Sequence, residues 1–223
     1  MAYVVAIANL KGGSGKSCIA VNLACELANK AAVVLVDADE QGTAARYCSS
    51  GLLPVTCEHL PLVGDARATD RWASRVLAIA ADYVVLDAPP HVGAATKAII
   101  GIADLVVVPV SASPADLWAT IPAVQLVRTV RASRAKGPGC LLVPSRVDSR
   151  TTAGREIEEA LQKLGEPVGP IVHQRAAFVD ALTVGKWIGD YAAHSDAHQD
   201  IAALGKRVER IRSHGQKAES KSR

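Results

Sequence analysis

Five short aliphatic runs punctuate the chain: "YVVAIAN" (3–9), "AVVLVDAD" (32–39), "DYVVLDAPP" (82–90), "DLVVVPVSAS" (104–113) and "CLLVPSRVD" (140–148). Each is apolar at successive positions rather than at alternate ones, as in a strand buried on both faces of a parallel sheet. Between the runs lie helix-like segments at about 16–30, 66–81, 94–103, 115–135 and 152–164, and another follows at about 195–213. The segment at 152–164 opens with "TTAGREIEEAL", where Thr151 or Thr152 suits the N-cap. Strands alternating with helices build right-handed βαβ units. The pattern therefore predicts an α/β fold with a single doubly wound, mostly parallel sheet and helices on both faces.

Composition supports that reading. Aromatic residues are few, with one Phe, three Trp and four Tyr, so the core has to be built from Ala, Val, Leu and Ile. At 223 residues there is enough chain for one sizeable core. No internal repeat and no Gly-, Ser- or Pro-rich linker divides it. The expectation is one domain over 1–213 and a basic, flexible tail over 214–223. The five cysteines show no CxxC pairing, as in a protein with reduced thiols. The N-terminus lacks the pattern of a secretory signal, and no apolar run approaches the ~20 residues that span a bilayer. A cytoplasmic protein with no membrane attachment is expected. The formal net charge is only +3, yet residues 205–223 hold seven Lys/Arg against two Glu. Local density of this kind, rather than the total, gives affinity for a polyanion.

The first run leads directly into "NLKGGSGKS" (9–17) and then a helix. A loop of this composition turns successive backbone N–H groups inward, and the helix behind it adds the positive end of its dipole. In such a phosphate-binding loop Lys16 reaches the β- and γ-phosphates, and the Ser17 hydroxyl lies on Mg²⁺. The usual pattern wants Gly at position 10, where this chain has Leu10, and it carries a second lysine, Lys11. Asp37 and Asp39 close the second aliphatic run and Asp87 closes the third, on the edge where open α/β sheets bind ligands. One carboxylate there can hold a Mg²⁺-bound water while another orients the water that attacks the γ-phosphate.

Taken together, "KGGSGKS", "DADEQG", "DAPP" and "VVVPVSASPADLWA" resemble the ParA/MinD family of deviant Walker-type ATPases, and most of all the small ParA proteins that segregate plasmids. The later "HQRAAFVDALTVGKWIGDY" is similar to the family's C-terminal segment, so the resemblance covers nearly all of residues 1–210. It implies a P-loop NTPase with a deviant Walker A motif, and ATP with Mg²⁺ as the cofactors. By this resemblance Gly12, Gly13, Ser14, Gly15, Lys16, Ser17 and Cys18 cradle the nucleotide. Asp39 positions the attacking water, and Asp37 supports the metal shell. Asp87 is the Walker B carboxylate, holding Mg²⁺ with Ser17. Pro114 and Asp116 lie near the nucleotide and the dimer face, and Arg175 near the nucleotide or dimer edge. Lys11 corresponds to the lysine that crosses to the ATP of a second subunit, so that the ATP-bound form is a homodimer and hydrolysis ends it. Glu40 stands where the family has Pro, and Ser14 and Cys18 stand for the common Val and Thr.

The activity implied is DNA partition by a slow, Mg-dependent ATPase. The ATP dimer binds nucleoid DNA without sequence preference, and a ParB-type centromere-binding adaptor stimulates hydrolysis. Basic candidates for the DNA face are Arg128, Arg131, Arg134 and Lys136 on one helix, and Lys206, Arg207 and Arg210 on the last. Steps of three and four keep each group on one helical face. A MinD-like positioning ATPase for a protein assembly or division site is the alternative, followed by an ATP-dependent biosynthetic enzyme. The tail has no Phe, Trp or Leu after residue 204, which speaks against a membrane-inserting helix. No helix-turn-helix domain is expected before the first strand.

Overall fold

Alternate residues of a strand face opposite sides of a sheet, so a continuous aliphatic run needs cover on both. The structure, a computed structural model, describes residues 1–90 and 93–221, with side chains to residue 216. The five runs become β1 (Tyr3–Ile7), β2 (Val33–Asp37), β4 (Tyr83–Asp87), β5 (Leu105–Ser111) and β6 (Gly139–Val147), joined by β3 (Thr56–His59) and β7 (Val172–His173). The sheet order is β3-β2-β4-β1-β5-β6-β7, and every strand pair is parallel. The helices are α1 (Lys16–Ala28), α2 (Thr43–Cys48), α3 (Ala66–Leu77), α4 (Ala94–Ile102), α5 (Pro114–Ala132), α6 (Thr152–Gln162), α7 (Ala176–Thr183), α8 (Ile188–Tyr191) and α9 (Asp196–Lys221).

The alternation sorts the core into two layers. Val5, Ile7 and Val85 pack with Ile19 and Leu23 of α1 and Leu204 of α9. Val4, Ala6, Val84 and Leu86 pack on the other face with Ile99 of α4, Val127 of α5 and Leu161 of α6. On the first face α1 is nearly submerged between the sheet and α9, and its N-terminus, with the loop before it, lies at the C-terminal end of the central strand β1.

Two strands escape the hydrophobic pattern for physical reasons. The strand β3 reads "TCEH", lies on the sheet edge and is partly exposed along its whole length, so no aliphatic run marks it. The strand β7 is only two residues long. The sheet is wholly rather than mostly parallel among the described residues. Helix α3 ends at Leu77 rather than near 81, and α5 at Ala132 rather than near 135.

The last helix runs to Lys221 instead of stopping near 213. Residues 222–223, the end of the expected tail, lie outside the described residues. Ile201, Leu204 and Val208 are fully buried and hold α9 against α1. Its Arg212 guanidinium stands 4.3 Å from the Tyr83 ring centroid, a cation–π contact at the first residue of β4. The basic half of α9 is thus at the N-terminal edge of the strands, opposite the phosphate loop.

Candidate nucleotide site

The glycine loop owes its path to two left-handed residues, Gly13 (φ +79°) and Gly15 (φ +88°). At Gly15 the constraint is double, because a Cβ would lie 2.9 Å from Ser145 Oγ. Gly15→Ala is therefore expected to cost about 1–3 kcal/mol in stability and to open the loop. Thermal unfolding, together with nucleotide titration, measures both effects.

Within the loop the two lysines are held by different partners. Lys16, 7% exposed, donates from Nζ to the Lys11 carbonyl at 3.0 Å. Burial lowers its pKa, with Asp87 and Asp39 opposing. The Lys11 ammonium, on a partly exposed side chain, forms an ion pair with Asp116. Ser14 is buried, and its hydroxyl also donates to the Lys11 carbonyl. Pro114 opens α5, whose N-cap Ser113 accepts from the Asp116 N–H at 3.1 Å. Buried Asn9, just ahead of the loop, donates to the Pro109 carbonyl at 2.6 Å and ties the loop to β5.

The three aspartates take three environments. Asp37 and Asp87 stand side by side, paired in register at the ends of β2 and β4. Asp37 is fully buried, and its two oxygens accept from the N–H groups of Asp39 (3.1 Å) and Ala45 (2.9 Å). Its visible work is to fold the loop that carries Asp39, with lone pairs left over for a metal shell. Asp39 is half-buried, accepts at Oδ1 from the Gln41 N–H and faces the cavity beside Lys16 and Ser17.

Asp87 is 1% exposed, and neither oxygen has a hydrogen-bond partner among the described residues. Its pKa is pushed up to about 7 by burial, with Asp37 and Asp39 adding and the nearby Ser17 hydroxyl and Lys16 ammonium opposing. A buried carboxylate with two unpaired oxygens beside Ser17 is what a hydrated Mg²⁺ would complete. The residues fit that group.

A cavity of about 650 Å³ runs from Gly12, Gly13, Gly15, Lys16, Ser17 and Asp39 to Val172–Ala176, Phe178 and Val179, while Ser14 lies buried behind the loop and does not line it. Cys18 and Arg175 both line it. Burial raises the Cys18 thiol to about 11, so it stays protonated at neutral pH. Arg175 pairs with Asp200 and Asp196 at 3.3 Å, which fastens the start of α9 to this wall.

Arg146 is a residue that the motifs did not indicate. It has φ +53°, which is uncommon for a non-glycine, and donates from its guanidinium to the Gly13 carbonyl at 2.7 Å. It follows the aliphatic part of β6 near the sheet's C-terminal edge, the position that marked Asp37 and Asp87. That rule alone would have found it.

The basic candidates separate. Arg128 and Arg131 both grip Glu166, whose carboxylate is nearly buried, and Arg134 donates to the Ala103 carbonyl at 3.0 Å. Lys206, Arg207 and Arg210 stand on the outward part of α9, with no ion pair among the described residues.

Residues 5–188 match the profile of the CobQ/CobB/MinD/ParA nucleotide binding domain. The chain belongs to this family. Among its relatives is the maintenance of carboxysome distribution protein A of Halothiobacillus neapolitanus, 32% identical over 82% of this chain and 85% of that one. The chromosome-partitioning ATPase Soj of Thermus thermophilus is 30% identical over 92% of this chain and 94% of that protein. In fold, the chain is similar to Cyanothece McdA in its complex with ATP, with a TM-score of 0.77 over 93% of this chain and 96% of that one. That pair is only 17% identical, so the likeness speaks for the fold. Among the described residues no helix is long and apolar enough to cross a membrane.

Proposed function

We propose that this member of the CobQ/CobB/MinD/ParA family is an ATP-hydrolysing positioning switch. It holds Mg-ATP in the cavity above the glycine loop, pairs with a second copy while ATP is bound, and releases it after hydrolysis. Lys16 and the loop N–H groups bind phosphate, Ser17 and Asp87 hold magnesium, and Asp39 orients the attacking water. Bound magnesium supplies charge neutralisation at the phosphates. The observation that carries the reading is Lys11. Its ammonium engages Asp116 rather than any group of its own phosphate cavity, beside a helix face where Trp118 is 69% exposed. A lysine so placed can turn to a partner's nucleotide by leaving Asp116.

In the first form of the reading the dimer lies on DNA without sequence preference, and a ParB-type adaptor stimulates hydrolysis to segregate a replicon. Lys206, Arg207 and Arg210 support DNA contact better than Arg128, Arg131 and Arg134, which already hold Glu166 and a backbone carbonyl. In the second form the cargo is a protein assembly carried over the same DNA surface. Its support is that two relatives, 32% and 33% identical, are named for carboxysome distribution.

Both forms make one prediction. DNA binding should need ATP, should fail with ADP or no nucleotide, and should weaken steeply between about 50 and 200 mM salt, because phosphate contacts release counterions. Replacing Lys206, Arg207 and Arg210 together by Glu should abolish it while ATP binding persists. Fluorescence anisotropy on unrelated DNA sequences is the check, and equal binding in all three nucleotide states would refute the DNA reading. Stimulation of turnover by an adaptor bound to DNA, as against one bound to a protein assembly, separates the two cargoes.

A further inference from the structure

Among the described residues, two side chains from outside its own loop hold the water-orienting Asp39: Asp37 at the end of β2 and His59 at the end of the edge strand β3. Most ties on this loop are local. Asp39 N–H and Ala45 N–H bond the Asp37 carboxylate, Gln41 N–H bonds Asp39 Oδ1, and Gly42 N–H bonds the Asp39 carbonyl at 3.0 Å. His59 Nε2 meets the same Asp39 carbonyl at 3.0 Å from a different element. Because a carbonyl oxygen only accepts, this ring nitrogen carries the proton in the contact.

The ring is also seated against Gly42. A Cβ at Gly42 would lie 3.2 Å from both Cε1 and Nε2 of His59, and Gly42 itself has φ +62°. His59 is paired in register with Asp37, so the strand pairing fixes where its ring begins.

We infer that His59 is a positioning residue for hydrolysis, setting the main chain of Asp39 from the sheet edge so that its carboxylate faces the nucleotide cavity. Its ring does not line the nucleotide cavity. It narrows the rotation left to Asp39, whose other contacts come from Gln41 and Gly42 of its own loop and from Asp37 at the end of β2. The inference rests on the proposed role of Asp39 in orienting water.

The test is steady-state hydrolysis of Mg-ATP by the full chain, with His59→Ala, His59→Phe and His59→Gln compared. Phe keeps a ring against Gly42 but has no donor, and the Gln amide offers an N–H at similar reach. Loss of the hydrogen bond should lower kcat roughly three- to tenfold in Ala and Phe, the equivalent of one ordinary hydrogen bond. KM should stay within about twofold, and Gln should recover most of kcat, as for an interaction that matters chiefly in the transition state.

An unchanged kcat in His59→Phe overturns the inference, as does an equal loss in Phe and Gln. Should His59→Ala melt early, the Phe and Gln pair still decides. Asp39→Ala measured in parallel separates the two levels. If it leaves turnover intact, the role assigned to Asp39 is wrong. If it abolishes turnover while His59→Phe is silent, only the role of His59 is wrong.

Discussion

Lys11→Ala should leave the monomer folded and able to bind ATP, yet remove the ATP-dependent dimer. The wild-type side chain is partly exposed, and its ion pair among the described residues is with the largely buried Asp116, so its loss should cost the monomer about 1–3 kcal/mol, as for a buried acceptor left without its partner. That is a loss the fold should survive. The phosphate cavity is spared, because Lys16 and not Lys11 points its ammonium inward, and the Lys11 carbonyl that Lys16 and Ser14 use remains in the alanine variant. The effect falls on the dimer. Losing a desolvated, hydrogen-bonded charge pair across an interface costs about 2–5 kcal/mol, and two-fold symmetry doubles it. Dimer affinity should drop by roughly a thousandfold or more. Light scattering with a non-hydrolysable ATP analogue reads this directly, beside an affinity measurement for the same analogue on the monomer. Asp116→Asn should move the other way, dimerising at lower protein concentration, because Lys11 no longer has to leave an ion pair first. Dimers of undiminished mass in Lys11→Ala would refute the role assigned to this lysine.

What the sequence made legible, and what it did not, follows from the range of the forces involved. The strands β1, β2, β4, β5 and β6 are readable because burial on both faces demands uninterrupted aliphatic side chains. The glycine loop and Asp37, Asp39 and Asp87 are readable because phosphate and magnesium chemistry ties particular residue types to strand ends. The strand β3 owes its existence to backbone pairing with β2 at the edge, which places no demand on side-chain polarity, so "TCEH" carries no signal. His59 was hidden with it.

Partner choice was hidden as well. Arg128, Arg131 and Arg134 have the spacing of a basic face, yet Glu166 and Ala103, distant in sequence, take their guanidinium groups. The buried Glu166 carboxylate feels its burial first, but hydrogen bonds from Arg131 and Arg128 outweigh this and hold its pKa below the usual value. Residues 114–134 in isolation would present these arginines to solvent. Only the folded chain supplies their partners.

Asp87 should make the magnesium-free protein and its magnesium affinity respond to pH in opposite directions. In the fold its carboxyl keeps a proton up to about pH 7, whereas the unfolded chain releases it near 3.8. Between those values the native state binds more protons than the unfolded one, so this group's contribution to stability is full below pH 4 and is lost as pH rises through 7. Magnesium needs the opposite form. The ionised carboxylate holds a metal-bound water, so below pH 7 the proton competes, and affinity for magnesium with nucleotide should fall by up to tenfold per pH unit. Asp87→Asn removes both responses at once. The variant should melt at a temperature nearly independent of pH between 5 and 8 compared with wild type, and its magnesium-dependent turnover should drop by roughly 10- to 100-fold, the usual loss when a residue supporting a metal's outer shell is removed. Calorimetric melts without magnesium, paired with magnesium titrations of the ATP-analogue complex at each pH, test the two halves separately. A wild-type magnesium affinity that stays flat from pH 8 to 5.5 would mean that Asp87 is ionised throughout, and that Lys16 and Ser17 offset its burial more than they do in this arrangement of the site.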